Sequence, residues 1–365
     1  MRKTVVPGVW SWSRWQPDRD LDFNGFFIEG ADGNLVIDPV EPDEATLAAL
    51  RERGVAAVVV TNRDHERATA AVVAATGARV IAGALDAPLL AQRVDRTVSP
   101  GDVVHGWTVI GLDGFKTPGE IALHDRARNA AIVGDALWGT PAGALTLMPD
   151  AKLADPVRAT LSLRALRALR LDHLLVGDGA CVFGTAHAAI GAAIDARPGV
   201  LTNRVNLHEL EYVPFAAPPP FGSRDAEVGL LLGAEKLGYL ALKLAAGQAV
   251  CPYHWHTAEE ELFVVIAGTP TLRTPKGTFA LRAGDVIAFP TGPAGAHRLQ
   301  NDSAAEAHVL LIANENPADA MSYPDSRKHT IGGSGLLARD EPVLDYFAGE
   351  TSAGETSPEP SANLR

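Results

Sequence analysis

The chain has 365 residues, 47% of them hydrophobic, which is too long for one ordinary domain and comfortable for two. Its formal net charge is -12, and its Lys and Arg are scattered rather than clustered, which argues against a phosphate-neutralising surface and a nucleic-acid partner. Two cysteines, Cys181 and Cys251, make no disulfide framework, and no apolar run approaches the roughly 20 residues that span a bilayer, so no membrane partner is expected.

The N-terminus begins with basic residues but has no apolar stretch of the secretory kind, so the chain reads as cytoplasmic. Phe26-Phe27-Ile28 and Leu35-Val36-Ile37 flank Gly30-Ala31-Asp32-Gly33-Asn34, which is hairpin chemistry. A helix is expected from Asp43 to Arg53, a buried strand from Val55 to Val60 and a helix from Ala68 to Thr76. Arg79 to Ala82 and a short helix near Asp86 to Gln92 repeat the pattern, and Trp107 to Leu112 and Ala130 to Val133 read as further strands. The spacing predicts an amphipathic helix over Pro156 to Leu171, a strand over Asp172 to Val176 and a last helix over Thr185 to Ala196. Hairpins first and alternating units afterwards suggest an α/β domain whose sheets carry helices on both outer faces.

The texture changes after Arg197. Leu240 to Leu244, Leu262 to Ile266, Thr269 to Arg273, Thr278 to Leu281, Val286 to Phe289 and His308 to Ile312 read as short strands between Gly, Pro and Asp turns. Regularly spaced short strands predict an all-β barrel or sandwich. Phe215 to Gly222, with three consecutive prolines, reads as irregular and extended. The expected division is a first domain at 1–198, a second at 199–345 and a tail at 346–365, which lacks apolar residues that could pack and reads as disordered.

His254 and His256 stand two apart, so on a strand both imidazoles share a face. A carboxylate follows at Glu261 and a third histidine at His297 after a second hairpin. Three imidazoles and a carboxylate suit one divalent transition metal such as Fe, Mn, Ni or Zn. The spacing Gly247-(x6)-His254-x-His256-(x4)-Glu261-(x6)-Gly268 resembles the first motif of the cupin superfamily. Gly284-(x5)-Pro290-x-Gly292-(x4)-His297-(x3)-Asn301 resembles its second. The resemblance implies a jelly-roll barrel over roughly Asn203 to Pro324, with His254, His256, Glu261 and His297 as metal ligands. The gap to Gly268 selects Glu261 over Glu259 and Glu260. Tyr253, Trp255, Arg273 and Arg298 flank the motif strands as candidates for shaping a pocket, with barrel filling and surface charge as the alternative.

In the first half, Asn24-Gly25-Phe26 with Leu35-Val36-Ile37-Asp38 is similar to the opening hairpin of metallo-β-lactamase-fold proteins. Thr61, Thr117-Pro118-Gly119, Gly134-Asp135 and Gly177-Asp178-Gly179 follow in the order of that fold, which implies an αββα sandwich. The family's His-x-His-x-Asp-His run is absent, and Asn62, Asp64 and Arg67 stand at the positions of its histidines. The resemblance further sets Lys116 and Asp178 in place of two other histidines and leaves Asp135 as the remaining family ligand, so no dinuclear zinc site is expected. Asp64, Asp135 and Asp178 would converge on this vacated site, with Arg67 and Lys116 within salt-bridge reach of Asp135 or Asp178. His65, lying between ligand positions, reads as structural.

The chain is therefore expected to be a metal-dependent cupin protein, leaning towards an enzyme of oxygenase, isomerase or lyase type, that acts on a small polar metabolite. Its catalytic residues are not assigned by the sequence. A non-catalytic metal- or small-ligand-binding or sensing cupin is the alternative, and a zinc-independent hydrolase working through the first domain ranks third. The expected partners are a small-molecule ligand and a second copy in a homodimer.

Overall fold

The computed structural model describes residues 1–331 and 336–339. The expected tail at 346–365, and the end of the second domain at 345, lie outside the described residues. Two compact units divide the chain, Met1–Asn206 with Leu230–Ala234, and Leu207–Gly229 with the residues from Glu235 onward. No helix among the described residues is long and apolar enough to cross a membrane.

The first unit is an αββα sandwich. One sheet runs in the order Arg2–Lys3, Val9–Gln16, Leu21–Ile28, Leu35–Ile37, Ala57–Val60, Arg79–Gly83, Arg96–Val98. The other runs Val182–Phe183, His173–Val176, Ala130–Val133, Ile121–Asp125, Trp107–Gly111, Val103–Val104. Strand alternation sorts the side chains into three apolar layers. Phe26, Ile28, Ile37, Val59, Leu123, Ile132 and Leu175 fill the space between the sheets. Phe27, Val36, Val58 and Val80 face outward onto Leu50 and Val72 of the helices Glu44–Arg53 and Thr69–Thr76. Ala122, Ala131, Leu174 and Val176 meet Leu163, Leu166, Ile190 and Ile194 on the far side. Asp43 caps the first helix by accepting the Thr46 amide at 2.7 Å.

Two expected elements differ. Pro156 to Leu171 forms two helices, Pro156–Ser162 and Arg164–Ala168, divided at Leu163, which keeps right-handed backbone angles and buries its side chain. Near Asp86 only the single turn Ala87–Leu89 forms, with Pro88 in its first turn and Leu90 already in extended backbone.

The second unit is a β-barrel. Its largest sheet runs Val213–Ala216, Gly222–Glu227, Leu237–Leu244, Ala307–Asn314, Glu261–Ala267, Val286–Phe289. Facing it are Gly277–Ala280, Thr271–Thr274 and Arg298–Gln300, and a further sheet of Trp255–His256, Met321–Tyr323, Lys328–Ile331 and Leu336–Arg339. Leu242, Leu244, Phe263, Leu272, Phe289, Leu299 and Val309 make its core. Phe215 and Ala216, expected to be irregular, belong to an edge strand paired with Ser223 and Gly222, where a proline costs no ladder bond if its nitrogen faces outward.

Candidate functional site

In the barrel, an isolated antiparallel bridge joins the two motif segments: the His254 amide donates to the His297 carbonyl at 3.1 Å, and the His297 amide returns the bond at 2.8 Å. Each imidazole is turned by its Nδ1. That of His254 lies 3.0 Å from the Pro252 carbonyl, that of His297 2.9 Å from the Gly295 carbonyl, and that of His256 2.7 Å from Asp319 Oδ2. The carboxylate of Asp319 is itself fixed by the amides of Ala258 at 2.7 Å and Glu259 at 3.1 Å. Such outer partners fix tautomer and ring direction, leaving Nε2 free to bind.

The Nε2 atoms turn towards Glu261. Its Oε2 lies 3.1 Å from His297 Nε2, 3.3 Å from His256 Nε2 and 3.8 Å from His254 Nε2. His254 Nε2 and His256 Nε2 are 3.2 Å apart. Glu261 Oε2 and His297 Nε2 are buried, yet neither makes a hydrogen bond of good geometry. Burial, reinforced by His297, pushes His254 down to about 4. Burial acts against protonation of His256 too, but the carboxylates of Glu261 and Asp319 outweigh it and raise its pKa to about 9. Burial likewise opposes ionisation of Glu261, but His256 and His297 hold its carboxyl below the usual carboxylate range.

The pocket-shaping candidates do not join this cluster. Tyr253 and Trp255 alternate with the two histidines, and Arg273 and Arg298 alternate with the core residues Leu272 and Leu299, so all four face away. Arg273 grips Asp325 with two bonds at 2.5 and 2.8 Å and lies 4.0 Å over the Tyr253 ring. Two residues that sequence reasoning passed over take part instead. Asp319 stands 63 positions beyond His256, outside either motif, so no local signal marked it. Tyr323 stacks on His254 with centroids 5.9 Å apart. Cys251 Sγ is 3.5 Å from His254 Nδ1, but burial pushes its thiol up to about 12, which leaves it unreactive.

In the sandwich, Asn62 does not face the cavity; its side-chain oxygen accepts the amides of Asp64 and His65 at 2.9 and 3.2 Å and starts the turn Arg63–His65. That turn drives His65 inward, 1% exposed, where a Cβ on Gly177 would stand 2.4 Å from its ring. His65 Nδ1 lies 2.8 Å from Asp38 Oδ2, while Nε2 faces Asp135 at 3.6 Å and Asp178 at 3.8 Å. Thr61 fixes Asp38 through its amide at 2.8 Å and its hydroxyl at 2.6 Å. The Arg67 guanidinium sits 2.5 Å from Asp178 Oδ1 and 2.9 Å from His65 Nε2, over the Phe23 ring. Asp38 and Arg67 hold left-handed backbone angles, φ 47° and 35°, a local cost of the kind that clusters at functional sites.

The expectation for Arg67 is met at Asp178, and that for Lys116 is corrected: its ammonium is at the surface and pairs with Asp64. Glu120, next after Gly119, takes the inner position instead. Its Oε1 accepts the Asp135 amide at 3.1 Å, and burial, with repulsion from Asp135, raises its pKa well above the carboxylate norm. Asp38 and Glu120 were therefore the residues not singled out, while His65, read as structural, is buried among them; the signal for Glu120 was its place directly after Thr117-Pro118-Gly119.

Comparison with known proteins now bears on both halves. The model of the metallo-beta-lactamase superfamily matches residues 1–194. The chain belongs to that superfamily. A cupin domain model matches residues 241–313. A hydroxyacylglutathione hydrolase from Polaromonas sp. (strain JS666 / ATCC BAA-500) is 37% identical over 118 residues, 30% of this chain and 44% of that protein. The matched segment thus spans less than half the length of this curated relative. Among solved structures, a metallo-beta-lactamase from Pontibacter korlensis is 16% identical with a TM-score of 0.45, covering 53% of this chain and 96% of its own. A sugar phosphate isomerase from the cupin superfamily, from Silicibacter pomeroyi DSS-3, is 22% identical with a TM-score of 0.35, covering 38% of this chain and 94% of its own.

The superfamily's metal pair does not fit these residues. His65, Asp135 and Asp178 lie close enough to hold an ion by spacing alone, but the Arg67 guanidinium already bonds Asp178 and abuts His65 Nε2. The guanidinium thus stands directly against two of the three groups. The three barrel residues His254, His256 and Glu261 also bring ligand atoms within 4.8 Å of one another, and among the described residues no Lys or Arg is paired with them.

The vacated site carries a pH dependence. Burial and Arg67 oppose a charge on His65, but Asp38 and Asp135 outweigh them and raise its pKa to about 10 from an unfolded value near 6.5. Glu120 is raised as well, so both groups bind protons more tightly in the folded state. Their stabilisation is fullest at low pH and is lost as pH climbs through the folded values. The unfolding midpoint of the first unit should fall between about pH 7 and pH 10, less steeply in His65→Gln. A flat profile in denaturant titrations would refute the assignment.

Proposed function

We propose that the barrel is a mononuclear metal centre, held by His254, His256, Glu261 and His297, in an enzyme of oxygenase, isomerase or lyase type acting on a small polar metabolite. The observation that carries this reading is the convergence of three Nε2 atoms on Glu261 Oε2, each ring turned by its own Nδ1 acceptor, with two of the four inward atoms buried and lacking a good hydrogen bond. Buried polar atoms left without partners are rare and costly, and a divalent ion satisfies all four at once. When bound, such an ion supplies a Lewis acid or a redox centre.

The chain's own residues supply the rest. Asp319 aims His256, and Phe289, stacked on His297 at 3.8 Å, with Phe263 at 5.1 Å, keeps the inner wall apolar and dry. Tyr323 covers His254 with its ring, while its hydroxyl donates to Met321 Sδ at 3.4 Å. An oxygen-rich metabolite suits a site whose polar groups are concentrated at the metal and whose walls are aromatic.

The test is metal analysis of the full chain, followed by oxygen-uptake and isomerisation or elimination assays on small hydroxy acids and sugars. About one equivalent of a transition metal per chain is expected. Turnover of no such compound by the metal-loaded protein, with tight binding retained, would favour the sensing alternative. A more specific expectation concerns aim. Asp319→Asn should weaken metal affinity roughly 10–100-fold while leaving all four ligands in place. Unchanged affinity in competition titrations with a chelator would remove Asp319 from the site.

A further inference from the structure

The barrel reading leaves the vacated cavity of the sandwich without a role. That cavity, of about 120 Å³, is lined by Arg19, Arg67, Lys116 and Lys152 against Asp64, Asp135 and Asp178, with Phe23 and Trp138 on its walls. Four cationic side chains thus face three carboxylates in a chain whose formal net charge is -12. A concave site of opposite sign to the whole molecule focuses the field on small anions.

The carboxylates are also the more fully used partners. Asp178 is bonded to Arg67 and lies 3.8 Å from Arg19, and Asp135 accepts the Trp138 indole N–H at 3.4 Å and faces His65. Asp64 is paired with Lys116. Among the described residues, Lys152 has no carboxylate within salt-bridge reach, and its ammonium stands 5.4 Å from the Trp138 ring. The loosely held cations Arg19 and Lys152 therefore stand around a floor whose charges are already matched.

We propose that this cavity, where the superfamily's metal motif maps, is a binding site for a small oxyanion, a carboxylate or a phosphate, met by Lys152 and Arg19. The size agrees: a cavity of about 120 Å³ admits a small ion rather than a large metabolite. Phe23 and Trp138 accommodate a short apolar or planar stub on the acid. Arg67 organises the floor and is not itself the free donor.

The test is calorimetric titration of the full-length His256→Ala protein, whose barrel site is disabled, with inorganic phosphate and with acetate, against chloride at matched ionic strength. Saturable binding of either anion is expected. Phosphate alone would assign a dianion site, and acetate alone a carboxylate site. Adding Lys152→Ala should weaken that binding about tenfold or more. Absence of saturable binding up to about 10 mM of both anions, or full affinity without Lys152, would overturn the proposal. So would Zn²⁺ binding that persists in His256→Ala and disappears on adding Asp178→Asn, since the cavity would then be a cation site. Because the barrel is disabled throughout, these outcomes do not depend on its metal.

Discussion

Arg67→Ala lowers the stability of the sandwich by roughly 3–5 kcal/mol, the cost of breaking a buried ion pair and stranding its partner. The Arg67 side chain is 12% exposed and that of Asp178 1%, so solvent cannot take over the lost role. Removing the guanidinium leaves Asp178, Asp135 and Asp38 around one imidazole, and the uncompensated repulsion falls inside the sheet interface. Arg67→Lys should recover only part, because an ammonium is a point charge whereas the planar fork reaches Asp178 while spanning the Phe23 ring. The strained backbone at φ 35° is common to both variants, so their difference isolates the side chain. Denaturant unfolding monitored by tryptophan fluorescence reads the effect; an Arg67→Ala midpoint equal to wild type ends the idea that the guanidinium replaces a metal.

His256→Ala empties the barrel of metal, whereas Glu261→Gln keeps a measurable fraction. Losing an imidazole deletes a neutral nitrogen donor, while glutamine still offers a carbonyl oxygen at the same reach. The loss should exceed the roughly 10–100-fold expected for an outer partner such as Asp319. His256→Ala also leaves the Asp319 carboxylate without its imidazole, though its bonds from the Ala258 and Glu259 amides remain. Elemental analysis of the full chain decides the matter. Undiminished metal in His256→Ala would break the ligand assignment, and it would break the metal-free reading of the sandwich if the retained ion were lost with Asp178→Asn.

What could be read in advance followed period and spacing. The continuous apolar runs Leu35–Ile37 and Ala57–Val60, and the two-residue step from His254 to His256, are local, and local patterns survive folding. The strand Val9–Gln16 was not expected: only Trp10 and Trp12 alternate with Ser11 and Ser13, and its two buried positions, Val9 and Trp12, do not follow a two-residue period. His65 read as structural because a residue between two ligand positions has no motif of its own; only the tertiary meeting of Asp38, Asp135 and Asp178 gives it partners. Lys116 was misplaced for a related reason. A motif alignment gives a position on the chain, but the turn Thr117-Pro118-Gly119 decides which neighbour points inward, and it selects Glu120. Asp319 was beyond reach, since no periodicity connects it to His256.

That last separation bears on when the metal centre becomes complete. The cupin match ends at 313, and Asp319 lies past it. As the chain leaves the ribosome, all four proposed ligands emerge before the residue that aims one of them. A nascent chain halted just after Asn314 would hold every donor with one imidazole unaimed, and any ion it captured would sit in a looser cage than the finished one. Choice of metal would then belong to the completed protein, and ions picked up early would be exchanged when the last strands close.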